Sequence, residues 1–430
     1  MRYHSLKNKS MLYSFSEALR KGLPADKSLF FPEKIHRLPK SFFQEINMMN
    51  INDMALEIIQ PYTGKSLNKD ILLKIINETL NFDFPLVQVS KNIYALELFH
   101  GPTLAFKDVG ARFMSRCLSN ILNEDEKITV LVATSGDTGG AVANGFMGIK
   151  GIDVIVLYPK DKVSDLQERQ FTTLGKNIKA ISVNGTFDDC QRFVKDAFVD
   201  IEINEKVNLT SANSINIARW LPQMFYYFIC YRNLPKLNKK LAFSVPSGNF
   251  GNICSGILAK EMGLPIDHFI ASTNINDAVP KYLKTGIYKP KPAKETISNA
   301  MDVGDPSNFI RIKEVYKHDH KEFVNNVSGY KFTDNQTRQS IINLYEACGY
   351  IADPHGAIAY LGLREFIENN ESDYFGVFLE TAHPIKFRDI VENEIKTKIK
   401  VPEQLKGILS KEKKVLNVDN FQDFKSLLLN

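Results

Sequence analysis

From residue 128 onward, short continuous apolar runs rich in β-branched residues alternate with stretches whose apolar positions recur every three or four residues. The runs ITVLVA (128–133), DVIVLYP (153–159), NIKAISV (177–183), LAFSVPS (241–247) and HFIASTN (268–274) predict strands buried on both faces. Between them, FDDCQRFVKDAFVD (187–200) and NIARWLPQMFYYFICYRNL (216–234) predict helices. This is the alternation of a parallel sheet, so the predicted class is α/β, with doubly wound, mostly parallel sheets.

The ends read differently. Residues 1–92 show short amphipathic helices (MALEIIQPY, LLKIINETL) around one strand-like SLFFPEKI, and form an appended, mainly helical unit. Residues 93–390 carry the α/β pattern, with a smaller subdomain expected around 110–200. They include the helical TRQSIINLYEACGY and DPHGAIAYLGLREFIE and the strand YFGVFLE (374–380). Residues 391–430 are lysine-rich and predict a helical tail with a mobile end.

Composition narrows the function. Apolar residues make up 44% of 430 positions, enough for more than one packed unit. The net charge of +5 comes from scattered lysines with no arginine block or aromatic-interleaved basic stripe, so nucleic acid is not an expected partner. No run reaches the roughly 18 apolar residues that span a bilayer, and MRYHSLKNKSMLYSF lacks a signal-peptide core, so no membrane association or export is expected. Five cysteines without short pairings fit a reducing cytoplasm.

The candidate chemistry begins at HGPTLAFKDVGARFM (100–114). Lys107 stands between an apolar run and a helix-like run, with Leu104, Ala105 and Phe106 stripping water from its ammonium group. Two glycine-dense strand-to-helix turns follow, VATSGDTGGAVANGF (132–146) and SVPSGNFGNICSG (244–256). Each exposes backbone amides at a helix start, where orphan donors and the helix dipole favour an anion, although a tight turn alone is the simpler alternative. TSANSINIARW (210–220) sets Asn213, Ser214 and Arg219 at another helix start, an arrangement that can hold a phosphate or carboxylate, but an arginine on an amphipathic helix is usually a solvated face, so alone the signal is weak. GxxxxGK[ST] and GxGxxG are both absent, which removes the P-loop and dinucleotide readings. A desolvated lysine among anion cradles suggests a phosphorylated aldehyde cofactor, pyridoxal 5'-phosphate.

HGPTLAFKD, SGDTG, NSINIAR, SVPSGNFGN, NAMDV, DPHGA and ETAHPIKF, in this order, resemble the threonine synthase family of the pyridoxal phosphate enzymes related to tryptophan synthase β. The opening MRYHSLKN…SFSEALRKGLP…LFFPEKI resembles the N-terminal unit of its bacterial and fungal type. The resemblance implies the fold type II architecture of that group. It also implies conversion of O-phospho-L-homoserine and water to L-threonine and phosphate, by a monomer or homodimer. Lys107 then matches the Schiff-base lysine, which also moves the protons. Gly248, Asn249, Phe250, Gly251 and Asn252 match the cradle of the cofactor phosphate. Ser135, Asp137 and Thr138 match the turn facing the cofactor hydroxyl and the substrate carboxylate. Asn213, Ser214 and Arg219 match the site of the substrate phosphate, and Thr381 matches the hydroxyl facing the pyridine nitrogen.

Gly140 and Gly356 stand where alanine or threonine is usual in that family, and each is expected to weaken its helix start by about 0.5–1 kcal/mol relative to alanine. His100, His355 and His383 lie inside the motifs, but a structural role is as consistent with the sequence as a catalytic one. His318 and His320 lack a third ligand at zinc spacing, so no metal is expected. The rival readings are a dehydratase or phospho-lyase of the same fold, which releases an oxo acid, and a cofactor-binding homologue without turnover.

Overall fold

One parallel and one mostly parallel sheet carry the chain in the computed structural model, which describes residues 1–235, 238–370 and 373–429. One is five-stranded and entirely parallel, in the order Leu416–Val418, Ile178–Val183, Ile152–Pro159, Ile128–Ala133, Leu209–Ser211. The other is six-stranded, in the order Val327–Lys331, His268–Thr273, Lys240–Pro246, Tyr374–Glu380, Ile93–Glu97, Leu86–Ser90. Only its last pair is antiparallel. All the strands expected from apolar runs form, because residues such as Val130, Val154, Phe243 and Val377 are buried under helices on both faces. Every loop that bears candidate chemistry leaves the carboxyl end of a parallel strand, where ligands bind in open α/β sheets.

The structure departs from the sequence reading in four places. The N-terminal unit contains a small antiparallel sheet, Leu12–Tyr13, Tyr3–Ser5, Phe30–Pro32, of which only the last strand has a visible apolar run. The expected helix over 216–234 is broken into Ile217–Trp220, a 3-10 turn Leu221–Gln223 and Met224–Asn233, since Pro222 cannot continue the hydrogen-bond ladder. The expected mobile end is docked. Leu416–Val418 extends the five-stranded sheet, and Phe424 and Leu428 on the helix Phe421–Leu429 are buried, with Phe424 stacked 6.1 Å from Phe193. Three residues make too short a strand to show against KEKK, and the three-to-four spacing of Phe421, Phe424 and Leu428 is the signal that marks this end as packed.

The fourth departure is Gly356. A Cβ at this position would overlap the buried Glu380 carboxyl, so alanine does not improve this helix start; the expected gain reverses into a clash. At Gly140 a Cβ would lie 3.0 Å from Gln170 Oε1, so alanine there also requires a neighbour to move.

Candidate active site

The helix Lys107–Ile121 begins at Lys107 itself, and its entry loop is clasped to the end of the Tyr374–Glu380 strand. The Phe106 amide donates to Thr381 O (2.9 Å), His383 N donates to Leu104 O (3.1 Å), and Tyr226 Oη donates to Phe106 O. Leu104 takes a left-handed conformation (φ 58°), costly for a branched side chain and sustained by these bonds. The consequence is that Lys107 and Thr381 face one cavity of about 950 Å³, open mouth included.

Lys107 is half-buried, its exposed surface turned to this cavity. Among the described residues its Nζ makes no hydrogen bond or ion pair, and it lies 5.5 Å from the Phe106 ring centre. Desolvation pushes its pKa down to about 8; Asp137 opposes the shift, while Lys386 and Arg219 reinforce it. A far larger share of the amine is therefore neutral near physiological pH than in an ordinary lysine, as a lysine nucleophile requires.

Two strand ends supply anion donors. After Lys240–Pro246 the chain turns through Gly248 and Phe250, the latter left-handed at φ 59°, into the helix Gly251–Glu261. The amides of Gly248, Asn249, Phe250, Gly251 and Asn252 donate to no described protein group. A Cβ on Gly248 would lie 2.8 Å from Ala300 O, so this backbone comes close enough to its neighbours to accept only glycine. After Ile128–Ala133, Thr134 Oγ1 accepts from the amides of Gly136 (3.0 Å) and Gly139 (2.8 Å) and fixes the turn. The amides of Ser135, Asp137 and Thr138 find no acceptor among the described residues. Both helices aim their N-termini into the cavity, favouring negative charge there.

Arg219 is buried, and among the described residues no carboxylate pairs with it. Its Nη1 donates to Ala212 O, while Nε has no partner. Burial lowers its pKa to about 10, leaving it a cation at neutral pH. An unpaired buried guanidinium on the cavity wall calls for an anionic ligand. Asn213 and Ser214 line the same wall but also carry structure: Asn213 Nδ2 donates to Ala133 O (2.9 Å), and Ser214 Oγ accepts from Asn308 Nδ2 (3.3 Å).

The cavity wall thus brings together Lys107, Ser135, Thr138, Asn213, Ser214, Arg219, the 248–252 loop and Thr381. It does not include the Asp137 side chain, which turns away to accept from Lys386 Nζ (2.7 Å) and Gln167 Nε2 (2.9 Å). Burial raises the Asp137 carboxyl, but Lys386 and Lys107 more than offset this and hold it below the usual range. Asp137 therefore acts on Lys107 through its field. Sequence reasoning missed Lys386 and gave His355, which the structure places on the wall, no catalytic role. His318 and His320 lie apart from the site, near Glu314 (3.6 Å) and Tyr282 O (3.0 Å).

Removing one member of the buried Lys386–Asp137 pair strands the other charge. Lys386→Met is expected to lower unfolding free energy by about 3–5 kcal/mol, read from denaturant melts, with much of the loss recovered when Asp137→Leu is added.

The residues present fit pyridoxal phosphate: a free lysine amine of lowered pKa, a glycine loop with five unpaired amides, and a Thr381 hydroxyl without a described protein partner. Comparison with known proteins points the same way. The family model "Pyridoxal-phosphate dependent enzyme" matches residues 80–374, "Threonine synthase N terminus" matches 2–80 and "Threonine synthase, C-terminal" matches 356–427. A threonine synthase from Buchnera aphidicola is 44% identical over 95% of this chain and 94% of its own. The Escherichia coli threonine synthase is 42% identical over 94% of each. A crystal structure of the E. coli protein superposes with a TM-score of 0.94 over 100% of both chains, at 39% identity. One from Brucella melitensis, described as bound to the cofactor, gives 0.92 over 100% of this chain and 99% of that one, at 32% identity. Maize serine racemase shares the fold, with a TM-score of 0.52 over 77% of this chain and 92% of its own, at 16% identity.

Proposed function

The chain belongs to the threonine synthase family of pyridoxal-phosphate-dependent enzymes, and we propose that it converts O-phospho-L-homoserine and water to L-threonine and phosphate at the cavity holding Lys107. The observation that carries this reading is the presence, in one cavity beside a lysine of lowered pKa, of a glycine-loop cradle at 248–252 and a separate unpaired guanidinium, Arg219, in addition to the amides at 135–138 that are left for a carboxylate. Two phosphates, one on a cofactor and one on a substrate, match the cradle and the guanidinium.

When bound, pyridoxal phosphate supplies a conjugated ring that withdraws electron density from the substrate carbons. The 248–252 amides hold its phosphate, Lys107 is its covalent anchor, and Thr381 presents a neutral hydroxyl to its ring nitrogen. The amides of Ser135, Asp137 and Thr138 bind the substrate carboxylate. Arg219, with Asn213 and Ser214 on the same wall, holds the substrate phosphate and stabilises it as it leaves. Once exchanged for the substrate amine, Lys107 Nζ takes and returns protons at the substrate carbons, a task suited to a pKa near 8. Domain limits at 92 and 390, a cytoplasmic location and a monomeric or homodimeric state belong to the same proposal.

Incubation with O-phospho-L-homoserine tests it: phosphate and threonine should appear in equal amounts, and phosphate accompanied by a 2-oxo acid alone would indicate a lyase. Arg219→Ala should keep the cofactor absorbance and lose about 1.5–3 kcal/mol of kcat/KM, roughly 10- to 150-fold. Loss of cofactor in that variant would exchange the two phosphate assignments.

A further inference from the structure

The proposed reaction has a proton problem that one lysine does not solve. Late in the sequence, water gives up a proton as its oxygen bonds to the β carbon, while the α carbon must receive one. A lysine holding the proton destined for the α carbon is an ammonium group and cannot also accept the proton of the water. The acceptor is then either the departing phosphate on Arg219 or a second side chain on the cavity wall.

Among the side chains lining the cavity, only three carry ionisable groups: Lys107, Arg219 and His355. Arg219 stays charged at neutral pH. His355 sits at the start of the helix Pro354–Glu368, buried, its ring held edge-on 4.9 Å from Phe387. Its Nδ1 lies against the carboxylate of Asp353, which also caps the helix by accepting the His355 amide at 2.7 Å. Its Nε2 is buried without a partner among the described residues. A ring whose Nδ1–H is committed to a carboxylate presents Nε2 as the basic nitrogen.

The surroundings reinforce this state. Burial, and then the charge of Asp353, pushes the Glu380 carboxyl well above its ordinary range, which keeps it protonated, while His355 holds Asp353 below its own despite burial. The other carboxyl near the ring, Asp302, is raised to about 6 by burial. Glu380 owes its place beside this group to the missing Cβ of Gly356, which makes room for the acid behind the histidine.

We infer that His355 is a second proton-transfer residue of this site, accepting at Nε2 the proton of the water that adds to the β carbon, with Asp353 as its positioning partner. The inference rests on the function proposed above. In the step, a lone pair of the water oxygen forms the C–O bond, the O–H pair stays on oxygen, and the proton goes to the Nε2 lone pair. The electron pair displaced from the carbon framework is discharged at the α carbon when Lys107 returns a proton there. The proton on His355 then leaves with the phosphate as hydrogen phosphate.

The test is the ratio of products. In the native chain threonine and phosphate form one to one; phosphate without threonine there would overturn the function itself. In His355→Asn, which keeps an amide near Asp353 but has no basic nitrogen, and in His355→Gln, threonine per phosphate should fall at least tenfold, with a 2-oxo acid and ammonia making up the difference. A ratio that stays at one overturns the inference and leaves the function standing, with the released phosphate as the acceptor. A second measurement needs no variant and no turnover. In nitrogen-15 NMR of the cofactor-free chain at assay pH, His355 should carry its proton on Nδ1 with Nε2 bare, and Asp353→Asn should lift that preference. A proton on Nε2 in the native chain overturns the role.

Discussion

Replacement of Lys107 by alanine is expected to slow threonine formation by about ten-thousandfold or more, because the change removes both the covalent anchor and the group that moves protons at the substrate carbons. The native protein should be yellow, and borohydride should fix the cofactor on the peptide containing Lys107; label on another lysine would refute the assignment. The depressed pKa adds a signed expectation. With the pKa at about 8, the neutral amine is roughly a tenth of the population at pH 7 and roughly nine tenths at pH 9. Cofactor-free protein should therefore capture pyridoxal phosphate about tenfold faster at pH 9 than at pH 7, with little gain beyond. An ordinary lysine would keep gaining up to pH 10, and that outcome would show the desolvation to be overstated.

The case for Lys107 also shows what sequence can and cannot expose. Its apolar neighbours and its place at a helix start are local, so burial of the amine is legible from fifteen residues. Lys386, set between Ile385 and Phe387, carries the same local signal, which the sequence reading did not use, and the structure buries it. Its partner, however, is Asp137, 249 residues away, and no local pattern reveals which carboxylate a buried lysine will meet. That pairing takes the Asp137 side chain off the cavity wall, although the motif reading put it there. The glycine turns were legible because unpaired amides follow from local backbone geometry. His355 was ambiguous because its Asp353 partner is two residues away, a spacing that also occurs in ordinary helix caps. Only the three-dimensional wall, shared with Lys107, separates the two roles.

Thr381 directly follows the strand Tyr374–Glu380 whose clasp positions Lys107, so a change there tests the electronics of the site with little effect on its frame, which is held by backbone bonds. A hydroxyl both donates and accepts and carries no charge, so it cannot hold a pyridine nitrogen protonated as a carboxylate does. With a neutral partner the cofactor is a restrained acceptor of electron density, suited to a route in which charge passes promptly to a leaving phosphate. Thr381→Asp supplies an anion in the cavity, close in the chain to Glu380, whose carboxyl is already held neutral. Beside a basic ring nitrogen the new carboxylate gains most by forming an ion pair with the protonated ring, and the strengthened acceptor then retains charge that should move on. The variant should keep its cofactor, show a shifted long-wavelength absorbance with substrate, form threonine about 10²- to 10³-fold more slowly, and divert substrate to a 2-oxo acid. Thr381→Ser preserves the hydroxyl and should remain within about threefold of the native rate, since only a methyl group's packing is lost. Threonine formation at the native rate by the aspartate variant would show that the charge of this partner does not govern the reaction.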